Sequence, residues 1–159
     1  MKVFEGGIAQ DHNKIYSILL SHDDKYLLAS DDGGFLRQWD TAMLTLVHNY
    51  GRIHTGVIKT IILHNNLPLI YTTCNNGGLQ CHNIETKQLF IDKGNVHHAG
   101  ILAICITKDG KSLFTSGLEG SINQWNVKTN KFPLIKTYQK LHKKGCIIKS
   151  ILTTNDSKY

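Results

Sequence analysis

Two textures alternate along the chain. Nearly continuous apolar runs rich in β-branched residues, IYSILL (15–20), VIKTIIL (57–63) and ILAICI (101–106), are each followed by a polar turn, SHDDK, HNNLP or TKDGK, and then by a second apolar run, YLLAS, LIYTT or SLFTS. Runs of that length between turn residues predict strands, and each pair with its short link predicts a hairpin. Glycine-bearing turns, DDGG, CNNGG and GLEG, lead into FLRQW, GLQCH and SINQW, where apolar and polar residues alternate as in a third strand. A fourth, weaker strand is predicted at LTLVHN, QLFIDK and PLIKTY. Apolar content falls from the first strand to the last, which predicts the first at the centre, buried on both faces, and the last at the rim. No helical period persists over a useful length, so the predicted fold class is all-β.

The pattern repeats. Trp39 and Trp125 are 86 residues apart, and half that interval, 43, lands on His82. At this period YLLASDDGGFLRQWD, LIYTTCNNGGLQCHN and SLFTSGLEGSINQWN superpose without a gap, as do Ile15, Ile58 and Ile101, and Ile18, Ile61 and Ile104. Four strands at a period of about 40–45 residues describe one blade of a β-propeller.

On these repeats and the Trp39-Asp40 dipeptide the chain resembles the WD40 family, over three blades between Asp11 and Tyr138. The resemblance places the blades at 11–48, 54–91 and 97–138. It also implies a structural tetrad in each: a His before the first strand, Ser or Thr on the second, Asp in the turn and Trp on the third. A buried indole N–H needs an acceptor; the hydroxyl supplies one and passes its own proton through His to a carboxylate. Blade 3 offers His97 or His98, Thr115, Glu119 in place of Asp, and Trp125. Blade 1 offers His12, Ser30, Asp32 or Asp31, and Trp39, provided its turn is one residue shorter, because the gapless register puts Ala29 and Gly33 in the hydroxyl and acid places. Blade 2 has His54, Thr72, Asn76 and His82, without acid or indole, and is expected to be the least rigid.

The ends extend the pattern. MKVFE (1–5) falls where a rim strand sits, and the resemblance implies that such a strand completes the last blade of a closed ring. Residues 146–159 align with the first strand of blade 1 and are expected to begin a fourth blade. An open arc would leave strand edges unpaired. The chain is therefore expected to be the N-terminal part of a seven-bladed ring of on the order of 300 residues, completed by further chain residues; two arcs pairing into one ring is the alternative.

Charge is unevenly distributed. Ten Lys and Arg face eleven Asp and Glu before Lys128, whereas eight basic residues and one acid follow from Lys128 on, which accounts for the net charge of +6. The 128–149 stretch, with Lys140, Lys143 and Lys144, suits a polyanion, although lysines without interleaved arginine make a weak nucleic-acid signature. The nine histidines follow the blade repeat and form no HxxxH or HxH pair. Neither metal nor cofactor is expected, and no nucleophile elbow or phosphate loop suggests an enzyme. Four cysteines without framework spacing fit a reducing cytoplasmic setting, with the nucleus and cytoskeleton left open. No run approaches the ~20 apolar residues of a membrane-spanning helix, so no membrane insertion is expected.

The expected function is a non-catalytic scaffold for protein–protein interactions within a multi-protein complex. The alternatives are attachment to a ribonucleoprotein or other polyanion through 128–149, and a purely architectural part in a cytoskeletal, ciliary or coat assembly. Loops held by a rigid scaffold are the usual place for binding residues. By position these are Asp31, Arg52, Asn75, Asn95, Leu118, Lys140, Lys143 and Lys144.

Overall fold

The computed structural model describes residues 14–139 and 147–154. It contains twelve strands in three antiparallel four-stranded sheets, with no helix among the described residues. Blade 1 comprises β1 (Ile15–Leu20), β2 (Tyr26–Asp31), β3 (Phe35–Asp40) and β4 (Leu46–Arg52). Blade 2 comprises β5 (Ile58–Leu63), β6 (Leu69–Cys74), β7 (Gly78–Asn83) and β8 (Leu89–Asn95). Blade 3 comprises β9 (Ile101–Ile106), β10 (Ser112–Gly117), β11 (Ile122–Asn126) and β12 (Leu134–Tyr138). In each sheet the strands lie in chain order. The rim strands β4 and β8 run on to Arg52 and Asn95, past the expected blade ends at 48 and 91. Near those ends Gly51 and Gly94 adopt φ of 77° and 59°, each with its N–H on the side chain two residues earlier, Asn49 Oδ1 (2.9 Å) and Asp92 Oδ1 (2.7 Å).

The period of 43 is a property of the core as well as of the sequence. Leu28, Leu36, Ile58, Ile61, Ile70 and Ile84 pack between blades 1 and 2. Their counterparts one period on, Tyr71, Leu79, Ile101, Ile104, Leu113 and Val127, pack between blades 2 and 3, joined there by Leu69, Cys81, Trp125 and Phe132. A fully buried Leu or Ile side chain contributes roughly 1.5–3 kcal/mol, so each seam stabilises the arc through the same handful of positions. Hairpins are tied at the same period: His22 Nε2 meets the His64 carbonyl at 2.8 Å, and Asn65 Nδ2 donates to the Thr107 carbonyl at 2.8 Å.

The most buried strand of a blade is the second, not the first as the apolar content suggested. Every residue of β6 and β10 is buried, whereas β5 is buried only at Ile58 and Ile61. The second strand is hydrogen-bonded on both sides and covered on both faces; the first is a sheet edge.

The β2–β3 and β6–β7 turns explain their glycines. Gly34 and Gly77 adopt φ of 83° and 88°, and a Cβ would stand 2.1 Å and 2.0 Å from the carbonyl oxygens of His54 and His97 in the next blade. Only glycine supplies both the left-handed backbone and the close approach. Since Gly34 and Gly77 are 43 residues apart, blade 1 keeps the gapless register and its turn is not shortened.

The strand expected at 1–5 and the beginning of blade 1 at 11–13 lie outside the described residues. Of the expected fourth blade, residues 147–154 form no strand. They nevertheless run where a first strand would: Ile148 is buried and its carbonyl accepts from Ser116 Oγ at 2.9 Å, as the Ile58 carbonyl accepts from Ser30 Oγ at 3.3 Å.

Candidate functional site

Blade 3 brings four side chains from separate elements into one chain of hydrogen bonds. Trp125 on β11 lies opposite Leu113 of β10, which aims its indole Nε1–H at Thr115 Oγ1, two residues along (3.0 Å). His97, in the loop before β9, meets the same hydroxyl through Nε2 at 2.8 Å. Because the hydroxyl accepts from the indole, it donates its own proton to His97 Nε2, and Nδ1–H of that imidazole then faces the Glu119 carboxylate. Ser121 Oγ donates to Glu119 at 2.6 Å. Burial opposes the Glu119 charge, but the hydrogen bonds from Ser121 and His97 outweigh it and hold the carboxyl below its ordinary range. The indole N–H, the Thr115 hydroxyl, both His97 nitrogens and one Glu119 oxygen are each committed to a partner, which suits bracing. His98 is exposed and takes no part.

In blade 2 the chain is cut short. His54 Nε2 meets Thr72 Oγ1 at 2.9 Å, but Asn76 is exposed and turns to Thr55 Oγ1 at 3.2 Å. His82 occupies the indole's place with Nδ1 buried and unpartnered. Burial pushes the pKa of both His54 and His82 down to about 4, reinforced for His82 by His54 and opposed in both by Asp92.

Blade 1 does not assemble the expected set. Ala29 stands where Thr115 and Thr72 do, so Trp39 Nε1 is buried without an acceptor. Ser30, one residue further, points to the opposite face of the sheet and donates to Ile58 instead. Asp32 accepts from the Lys14 amide at 3.0 Å. Asp31, expected on an exposed loop, is buried; it pairs with Arg37 Nη1 at 2.7 Å and accepts from the Phe35 amide at 2.9 Å. His12 lies outside the described residues.

The other loop candidates separate into two groups. Arg52, Asn75, Asn95 and Leu118 are exposed at strand ends or in the loops joining second and third strands. Their loops are pinned: Arg52 Nη2 donates to the Thr55 carbonyl at 2.9 Å, and the amides of Asn75 and Leu118 donate to Val57 and Gly100 at 3.0 Å each. Lys140, Lys143 and Lys144 lie outside the described residues.

Three contacts went unread in the sequence. They are the Asp31–Arg37 pair, Ser121 on Glu119, and a rim device in which Tyr50 and Tyr138 donate to Gln38 and Gln124 at 2.9 Å. The signal for the last was present, since Gln38 and Gln124 are two periods apart and each is followed by a tyrosine on the rim strand. No cluster of three or more metal-ligating side chains occurs among the described residues.

The family model of the WD domain, G-beta repeat (WD40), matches residues 6–40 and 90–126. The chain carries WD40 repeats. Both matched segments reach a third-strand tryptophan, and blade 2, whose tryptophan is replaced by His82, falls largely between them. Solved WD40-like structures share the fold at low identity. A chain in the crystal structure of the mitotic checkpoint complex is 15% identical with a TM-score of 0.75, the match covering 91% of this chain and 42% of that one. The C-terminal WD40 domain of Sif2 is 18% identical with a TM-score of 0.74, over 92% and 42% of the two chains. The computationally designed Ika4 protein is 16% identical with a TM-score of 0.73, over 93% and 84%. The chain thus spans less than half of the first of these and most of the designed one. No curated protein matches it by sequence.

Proposed function

We propose that the protein works in the cytoplasm as a non-catalytic WD40 scaffold that holds other proteins together within a larger complex. The observation that carries this reading is the strand-end face, where Arg52 and Asn95 at strand ends and Asn75 and Leu118 in turns stand exposed on segments already held by hydrogen bonds. Loops fixed in advance lose little conformational entropy on docking. The WD40 family is generally a non-catalytic interaction scaffold, and one structural neighbour comes from a multi-protein assembly, the mitotic checkpoint complex. The thiols of buried Cys81 and half-buried Cys105 are pushed up to about 12 and about 11 by burial, so both stay protonated and unreactive.

Affinity capture with the intact chain and with an Arg52→Glu/Leu118→Asp variant tests the reading. At least one protein is expected to be lost from the variant while its circular dichroism is unchanged. An identical set of captured proteins would overturn docking on this face.

A second reading rests on Lys128, Lys131, Lys136 and Lys149, all exposed and without a carboxylate partner among the described residues. Attachment to a polyanion through them would weaken steeply as salt rises, whereas docking on the loop face would change modestly.

A further inference from the structure

Between the outer parts of blades 1 and 2 lies a cavity of about 290 Å³, walled by His48 and Tyr50 of β4, Gln80 and His82 of β7, and Lys87 of the β7–β8 turn. Its origin is missing side-chain volume. One period on, the Trp125 indole fills the corresponding place, with Lys93 Nζ 5.9 Å from the ring centroid. In blade 2 the smaller imidazole of His82 stands there, and Tyr50, the counterpart of Lys93, meets it edge-on at 5.6 Å.

No acid lines the wall itself, which Ile53 and Leu89 complete, but Gln80 Nε2 is already taken up by the Ile53 carbonyl and by Asp92 Oδ2, at 2.9 Å each. Lys87 adopts φ of 66° and turns its ammonium inward, donating to Gln38 Oε1 at 2.8 Å and to the Ile84 carbonyl. Both acceptors are uncharged, and no carboxylate among the described residues pairs with this part-buried cation. His82 is 4% exposed with Nδ1 unpartnered, and Gln38, which accepts from Tyr50 and Lys87, has Nε2 buried and unpartnered as well. His48 packs edge-on against Tyr50 at 4.6 Å and completes the mouth. A buried imidazole nitrogen without a partner and a part-buried cation held only by uncharged acceptors each cost stability unless a further polar group meets them.

We propose that this cavity binds a small oxyanion, a carboxylate or phosphate group, through Lys87, His48 and His82. Lys87 supplies the charge and the imidazole N–H groups supply direction. The charged and titratable groups around the imidazoles are Lys87 and Tyr50 at the wall, His54, Asp92, which is hydrogen-bonded to Gln80 of the wall, and Glu85, which acts on Lys87. Burial keeps both imidazoles towards the neutral form, helped at His48 by the Lys87 charge. A bound anion favours their protonated forms, so binding takes up protons and tightens as pH falls.

Titration of the intact chain with sodium phosphate and, separately, sodium acetate at constant ionic strength tests this. The imidazole C–H resonances of His48 and His82 are followed by NMR. Saturable shifts at both, tighter at lower pH and weakened about tenfold or more in Lys87→Met, are expected. Saturation by both anions marks a general oxyanion site; saturation by phosphate alone narrows it to phosphate. Shifts that stay linear to the highest concentration, or an affinity unchanged in Lys87→Met, overturn the proposal. His82→Trp gives an independent check: refilling the space should abolish binding and raise Tm, and binding that persists in it counts against the site.

Discussion

Ile18 and Ile61 hold the same place in consecutive blades, yet Ile61 is 4% exposed and Ile18 is 65% exposed. Ile15 and Ile58 differ likewise, at 64% and 0%. Position in the blade is the same; what differs is whether a preceding blade covers it. Ile61→Ala is expected to cost about 2–5 kcal/mol in urea unfolding, as for a buried aliphatic truncation. Ile18→Ala is expected to stay within about 0.5 kcal/mol. A comparable cost at the two sites would mean that the blade 1 face is covered in solution.

Thr115 and Thr72 predict a second asymmetry. Thr115→Val strands both the Trp125 indole N–H and His97, whereas Thr72→Val strands His54 alone. Each stranded buried group costs roughly 1–3 kcal/mol. Thr115→Val is therefore expected to be the more damaging by about one such increment, measured by chemical denaturation. Amide exchange in the wild type should be faster in β6 and β7 than in β10 and β11.

The period of 43 was legible because the seams reuse the same core positions, so that Leu28, Leu36 and Ile58 announce Tyr71, Leu79 and Ile101. Polar assignments were harder. Ser30 carries the right functional group one residue from the right place, and in a strand one residue means the opposite face. Asp31 looked like a loop acid because its partner Arg37 lies across a turn, a pairing that hydrophobic pattern does not encode. The absence of an indole at His82 was visible, but the cavity it leaves was not. Its walls come from β4, β7 and the turn at Lys87, which only the packing of two blades brings together.

Gly77 and Gly94 separate two costs of losing a glycine. Both adopt positive φ, but a Cβ at Gly77 would stand 2.0 Å from the His97 carbonyl oxygen, while one at Gly94 meets nothing within 4 Å. Gly94→Ala is expected to cost about 1 kcal/mol from backbone strain alone. Gly77→Ala adds a backbone clash with the neighbouring blade and is expected to cost about 3 kcal/mol or more, read as a larger fall in the urea midpoint.

His54 and His82 make blade 2 the acid-sensitive part of the arc. Both imidazoles are held neutral, with pKa values of about 4 against an ordinary 6.5. Between these values the unfolded chain binds more protons than the folded one, so stability rises with pH across the window. Their contribution is complete above about 6.5 and is lost as pH falls towards about 4, on the order of 2–3 kcal/mol for each at the most, less where the two are coupled. Glu119 adds to the same trend in blade 3, since its depressed pKa also makes acid destabilising. Blade 2 should nevertheless loosen first, because it lacks an acid at Asn76 and an indole at His82 to hold its neutral pair in place. Stability measured from pH 7 down to pH 4 is expected to fall steeply in the wild type and less steeply in His82→Trp, which removes one titrating group and gives Thr72 the indole donor that Thr115 has. Equal pH slopes in the two proteins would place the acid sensitivity elsewhere.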